Sequence, residues 1–348
     1  MSRPTRRGKR RGRNQPADAI LAGRIARRFY EQGAAKLDIA AEFGLSRFKV
    51  ARILDSARAS GLVKVEFALP VPLELTLSDE LCQTYGLRRA LVLERADEQL
   101  SAEALRHRLG SMAADLVSEI TTEDDVLGLA WARTVNVMTE ALTSLPRCPV
   151  VQLSGVYSRM DMRDRSVETV QRATAVSGGP AYPIFGPLVL LDRRTADTLR
   201  HQPGIAEAFD HFGEITKAVV SIGAWAPGQS TVYDVLGERD RAAIAERGVT
   251  AEVAARLFDA DGYEVSTGLS HYVLAISSSQ LQAVDEVIAL AGGKAKATAI
   301  DSVLRSGTVS TLITDAAAAE SLLELAAQRP VKARSAAVGN DGGAHLAE

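Results

Sequence analysis

At 348 residues the chain is long enough for two domains, and 46% hydrophobic with 24% charged residues is an ordinary globular composition. It has no apolar run near the roughly 18 residues of a membrane span and no apolar segment behind its basic N-terminus, which excludes a secretory signal. Two cysteines, Cys82 and Cys148, are too few for a disulfide framework or a cysteine-rich metal site, and fit idle thiols in a reducing cytoplasm. The net charge of −2 hides an asymmetry. Residues 1–68 carry sixteen Lys and Arg against six Asp and Glu, a net of +10 that leaves −12 for the remainder. A basic head on an acidic body implies that only the head approaches a polyanion.

In chain order, residues 1–16 hold seven cations and no acid and read as a disordered arm, either tracking phosphates or keeping the chain soluble. From Ala17 to Tyr30, Ile20, Leu21, Ile25 and Phe29 recur at helical spacing, and Gly33 ends the helix. A short helix over 36–43 follows, then Gly44 and Leu45. Ser46 is placed to cap a third helix reaching residue 59. Residues 63–67 alternate like a short strand, and Pro70 and Pro72 mark a linker over 69–77. Beyond it, apolar β-rich runs at 90–93, 126–130, 150–153, 188–191, 218–222, 272–276, 287–291 and 309–313 alternate with helices at 103–119, 135–142, 251–258, 294–304 and 316–325. The expectation is an α/β chain: a small all-helical head over 17–68, then a Rossmann-like, mainly parallel sheet over 78–328. The tail, 329–348, loses its apolar periodicity and reads as disordered.

The head has the spacing of a helix-turn-helix. Ala40 is a small residue where two helices cross, Gly44 suits the turn, Val50 and Ile53 anchor the second helix, and Ile39 and Leu45 fill the wedge. The opposite face of that second helix offers Ser46, Arg47, Phe48, Lys49 and Arg52 as contacts to double-stranded DNA. Arg47 and Arg52 suit a guanine edge or a phosphate, Lys49 a phosphate, and Phe48 a thymine methyl group.

In the body, the segment GLAWART (128–134) ends a strand and opens a helix, where unpaired N–H groups with Arg133 and Thr134 would hold an anion or merely form a turn. Together with VVQLSG (150–155), AYPIFGPLVLLD (181–192), VVSIGAW (219–225), ARLFDADG (255–262), VIALAGGKAKATAI (287–300) and LITD (312–315), and with DIAAEFGLSR in the head, it resembles the SorC family of sugar-sensing bacterial transcription regulators over 17–328. The resemblance implies a body like the sugar-phosphate isomerases, with a phosphorylated sugar or polyol bound at the C-terminal ends of the strands. Carried over by position, Trp131, Arg133 and Thr134 would line the phosphate loop. Gly223 would admit close backbone approach, Asp259 would accept sugar hydroxyls, and Lys296 would meet the phosphate. The chain departs from the family pattern at Ala132, a glycine in most members, and at Phe48, Lys49 and Ala51, which replace proline, threonine and serine.

The competing reading is an isomerase or deaminase, which needs a tuned general base and a proton relay. None of the five histidines falls in the expected pocket segments, although His271 opens a neighbouring strand, and Asp259 and Asp315 serve a sensor equally well. The expectation is therefore a regulator with no catalytic residues, no metal and no cofactor beyond its effector. Because a single head buries too little surface for specificity, a homo-oligomer is expected, with the resemblance implying dimers that pair into tetramers.

Overall fold

The computed structural model describes residues 16–64, 72–96, 100–156 and 166–329. The chain divides into two units, Met1–Leu69 and Pro70–Glu348. The expected basic arm, apart from Pro16, and the tail beyond Arg329 lie outside the described residues, as do residues 65–67 of the expected strand.

The head is three helices: α1 (Pro16–Tyr30), α2 (Lys36–Phe43) and α3 (Arg47–Ala59). Their inward residues Ile25, Ile39, Val50 and Leu54 are buried together, with Leu21, Phe29 and Leu45 packed against them. Gly44 ends α2 with φ 63° and ψ 35°, a conformation that would cost any residue with a Cβ about 1–2 kcal/mol. Ser46 caps α3 by accepting a hydrogen bond from the Lys49 backbone N–H at 3.2 Å. Val63 and Lys64 do not extend into a strand. The Val63 N–H instead donates to the Ala57 carbonyl at 3.0 Å, and its side chain packs back onto the head core.

The body starts with α4 (Leu75–Tyr85), which already begins inside the stretch expected as linker. There follow β1 (Arg89–Leu93), α5 (Ala102–Ile120), β2 (Leu127–Leu129), α6 (Arg133–Ala141), β3 (Val150–Gln152), α7 (Ser166–Ser177) and β4 (Ala181–Tyr182). Two short helices, α8 (Arg193–Arg200) and α9 (Ala206–Asp210), lead to β5 (Lys217–Ser221) and β6 (Gly223–Ala224). Next come α10 (Thr231–Val235), α11 (Glu238–Ala245), β7 (Val249–Val253) and β8 (Arg256–Asp259). The chain closes with α12 (Ser278–Gln282), β9 (Glu286–Leu290), α13 (Ala297–Arg305), β10 (Thr311–Asp315) and α14 (Ala316–Ala327).

Seven strands form one sheet in the order β1-β10-β9-β5-β2-β3-β4, and every pairing in it is parallel. A parallel sheet needs helices on both faces, and alternate residues of β9 show both: Ile288 and Leu290 face α5, α6 and α7, whereas Val287 and Ala289 face α4, α13 and α14. Helices α5 and α6 lie unusually close. A Cβ added at Gly110 would stand 2.6 Å from Val137 Cγ1, so only glycine fits at this crossing.

Two expectations need correction. The stretch 251–258, alanine-rich and read as a helix, is the antiparallel hairpin β7–β8 of a second sheet, β6-β7-β8. Its turn is Ala254-Ala255, with φ of 46° and 63°. Turns with two positive φ values normally advertise themselves as Asn-Gly, and an Ala pair carries no such signal. The runs 188–191 and 272–276 are extended and form no strand of either sheet. They meet through the Val189–Val273 bridge and backbone hydrogen bonds of 2.8 and 2.9 Å. His271 accordingly sits on a single 3-10 turn rather than at the start of a strand.

Candidate functional site

On the head, α3 is amphipathic in the way a groove-reading helix requires. Val50, Leu54 and Ala57 are buried, while Arg47, Phe48, Lys49 and Arg52 are exposed, Phe48 with 80% of its surface. The side chains of these four make no hydrogen bond or ion pair among the described residues. The Ser46 hydroxyl serves as the helix cap, which leaves its O–H free to donate. Helices α1 and α2 are tied by an Arg28–Glu42 ion pair at 2.8 Å.

In the body, the strand order sets the place of the site. From β2 the chain runs outward through β3 and β4, then returns to β5 on the other side of β2 and continues to β9 and β10. At such a switch point the loops leaving adjacent strands part and open a crevice at their C-terminal ends. A cleft of about 510 Å³ lies there, walled by the exits of β2 (Trp131, Arg133), β5 (Ser221) and β9 (Lys296), by β7 (Glu252) and by the first turns of α5. That volume suits a small metabolite.

Among the described residues, the chemistry of the wall is cationic with one carboxylate. Helix α6 starts at Arg133, so its unpaired N–H groups and positive dipole end open toward the cleft. Arg133 donates to the Gly228 carbonyl across the cleft mouth. Lys296 precedes α13 and donates from Nζ to the Ile222 carbonyl at 2.9 Å. Burial, reinforced by the charges of Arg133 and Arg106 and opposed by Glu252, lowers its pKa to about 8. The glycine turn before it is held from behind, since Asp315 Oδ1 accepts from the Gly293 N–H at 2.6 Å.

Glu252 is the buried member. Its Oε2 accepts from Ser230 Oγ at 2.8 Å and its Oε1 from the Ala255 N–H at 3.3 Å. Burial pushes its pKa up, while these hydrogen bonds and Lys296 pull the other way. The carboxylate thus braces the positive-φ turn that lines the cleft through Ala254, and strained backbone of this sort persists where surrounding contacts over-determine it.

Trp131, Arg133, Thr134, Gly223 and Lys296, drawn from three distant segments, all lie on the cleft wall. Gly223 has a more specific role than expected: a Cβ there would stand 2.8 Å from Glu252 Oε2, so the glycine admits the carboxylate and the 229–230 backbone. Asp259 is not on the wall. It ends β8, and its Oδ1 accepts from the backbone N–H groups of Asp261 and Tyr263, both at 2.9 Å, so it closes a turn away from the cleft. The carboxylate on the wall is Glu252, hidden from sequence reading by the helix assigned to its segment. Alternation of apolar and polar residues through Val249-Thr250-Ala251-Glu252-Val253 is the trace the sequence carries. Arg106, from α5, was also missed. None of the four described histidines lines the cleft.

The fold and cleft define a class: a ligand-binding α/β body that follows a three-helix head along the chain. The sugar-binding domain family Sugar-bind matches over residues 70–324. EryD of Brucella abortus (strain 2308), an erythritol catabolism regulatory protein, is 29% identical over 317 residues, covering 88% of this chain and 97% of its own. YjhU, a transcriptional regulator of Escherichia coli (strain K12), is 27% identical over 302 residues, covering 85% and 92%. Among solved structures, the full-length sorbitol operon regulator SorC from Klebsiella pneumoniae superposes with a TM-score of 0.66 at 24% identity, covering 88% of this chain and 99% of that one. The chain belongs to the SorC family of sugar-binding transcription regulators.

Proposed function

We propose that this protein is a cytoplasmic, DNA-binding regulator of a carbohydrate operon whose operator affinity is set by a phosphorylated sugar or polyol bound in the body cleft. The observation that carries this is the convergence of Arg106, Arg133 and Lys296 with the α6 N-terminus on one crevice. Three cations brought together against a single described carboxylate on the wall are destabilising unless an anion completes them. The phosphate sits among these groups, with the sugar hydroxyls toward Glu252 and Ser221. The relatives named for erythritol and sorbitol pathways support a small polyol or sugar as the class of effector.

Operator recognition falls to α3, with Arg47 and Arg52 on base edges or phosphates and Lys49 on the backbone. Two heads acting together need a homo-oligomer, which the body supplies as dimers or tetramers. Effector binding changes the relation between bodies and hence between heads, and shifts operator affinity only as far as the ligand prefers one arrangement.

The test is a thermal-shift screen of full-length protein against paired free and phosphorylated sugars and polyols. Hits are then carried into operator-fragment titrations. Selective stabilisation by a phosphorylated compound that also moves operator affinity is expected. Stabilisation by free sugars alone would sink the phosphorylated effector, and turnover of a bound compound would sink the sensor.

A further inference from the structure

We propose that Arg106 is a specificity-determining residue of the cleft, contributing from α5 the ionic contact that makes recognition depend on a dianionic phosphate ester rather than a neutral sugar. The proposal deepens the phosphorylated-effector reading and rests on it.

Three observations on the geometry lead there. First, α5 turns one face to the cleft: Ala102, Leu105, Arg106 and Leu109 all line it at helical spacing. Leu105 and Leu109 lie against the Gly292-Gly293 turn, where a Cβ on Gly292 would be 2.9 Å from Leu109 Cδ1. Second, α5 is fixed laterally. Gly110 and Val137 form the glycine-only contact between α5 and α6. Arg106 is four residues before Gly110 and Arg133 four residues before Val137, so one turn beyond that contact each helix presents an arginine to the same cleft. Third, the Arg106 side chain is half-buried and makes no hydrogen bond or ion pair among the described residues.

A half-buried guanidinium held beside a second arginine and a lysine, with no ion-paired acid among the described residues, is an arrangement that folding alone does not favour. Its pKa is lowered by burial and by the Arg133 charge, with Glu103 opposing. Arg106 in turn is among the charges that lower Lys296. The three cations therefore feel one another and converge on a single place, as a multiply charged anion requires. A neutral polyol would leave the repulsion in place. A phosphate dianion removes it, and the planar guanidinium can bind two of its oxygens.

The test uses full-length wild type, Arg106→Gln and Arg106→Lys, titrated with inorganic phosphate at constant ionic strength and followed by thermal shift and calorimetry. Expected is a phosphate midpoint roughly ten- to hundredfold higher for Arg106→Gln, the range of one charged hydrogen-bonding contact, with partial recovery in Arg106→Lys. Without phosphate, Arg106→Gln should melt at or above the wild-type temperature, because a repelled side chain with no partner has been removed. Equal midpoints for wild type and Arg106→Gln would overturn the proposal while leaving a phosphorylated effector intact. A lower ligand-free melting temperature for Arg106→Gln with an unchanged midpoint would assign Arg106 a structural role instead. If wild type takes up no phosphate, both the proposal and the phosphorylated-effector reading fall.

Discussion

Lys296 shows how much one position decides. Its pKa of about 8 lies well below the 10.5 of a free lysine because it is buried and flanked by Arg133 and Arg106, with Glu252 opposing them. Charged below about pH 8, it attracts an anion; neutral above, it does not. Calorimetry should therefore find effector affinity falling as pH rises through about 8, and Lys296→Met should abolish that fall. The folded state binds fewer protons than the unfolded between about 8 and 10.5, so ligand-free stability should rise with pH across that window. By the same reasoning Lys296→Met should stabilise the empty protein at neutral pH by up to about 3 kcal/mol. On the head, Arg47→Ala should reduce discrimination between operator variants at one base pair by about 1–3 kcal/mol and cost unrelated DNA far less, as measured on a panel of substituted operators. The residues on this face were legible from the sequence because the periodicity that buries Val50 and Leu54 also dictates what points away. Asp259 was misplaced because a carboxylate accepting local N–H groups looks, in sequence, the same as one awaiting a ligand.

Among elements, the clearest lesson is the β7–β8 hairpin. Its strands were masked by alanines with strong helix preference, and tertiary pairing overrode that preference. The error hid Glu252, the cleft's carboxylate. A second element-scale device lies at the opposite, N-terminal ends of the strands. Asp125, in the turn before β2, accepts from Lys217 Nζ and Thr216 Oγ1, both at 2.6 Å, and so ties the start of β2 to that of β5. Burial pushes its pKa up, but the hydrogen bonds from Lys217, Thr216 and Thr122 outweigh it and hold the carboxyl at about 2. A carboxyl depressed in the folded state stabilises above its unfolded pKa of 3.8, and loses that effect as pH falls toward 2. Asp125→Asn should thus cost about 2 kcal/mol at pH 7, and the gap from wild type should shrink between pH 4 and pH 2 in denaturant titrations.

For the whole molecule, linkage sets the quantitative expectation. If the effector changes operator affinity by some factor, the operator must change effector affinity by the same factor, which paired titrations in both directions will check. The head's net charge of +10 against −12 elsewhere predicts operator affinity falling steeply with salt, with a log–log slope near −0.9 for each phosphate contacted, while effector affinity should vary much less. The sequence by itself determined the three-helix head, the identity of α3 as its exposed cationic helix, the parallel α/β body and the two glycine-bearing loops of the cleft. Each of these rests on interactions within a few residues: helical period, a glycine turn, a cap, an all-apolar strand. Tertiary structure alone decided that Arg106, Arg133, Glu252 and Lys296, spread over nearly 200 residues, share one crevice, and that an Ala-Ala pair turns a hairpin at its wall. Their charges and strain act across space between elements, where spacing along the chain carries no record of them.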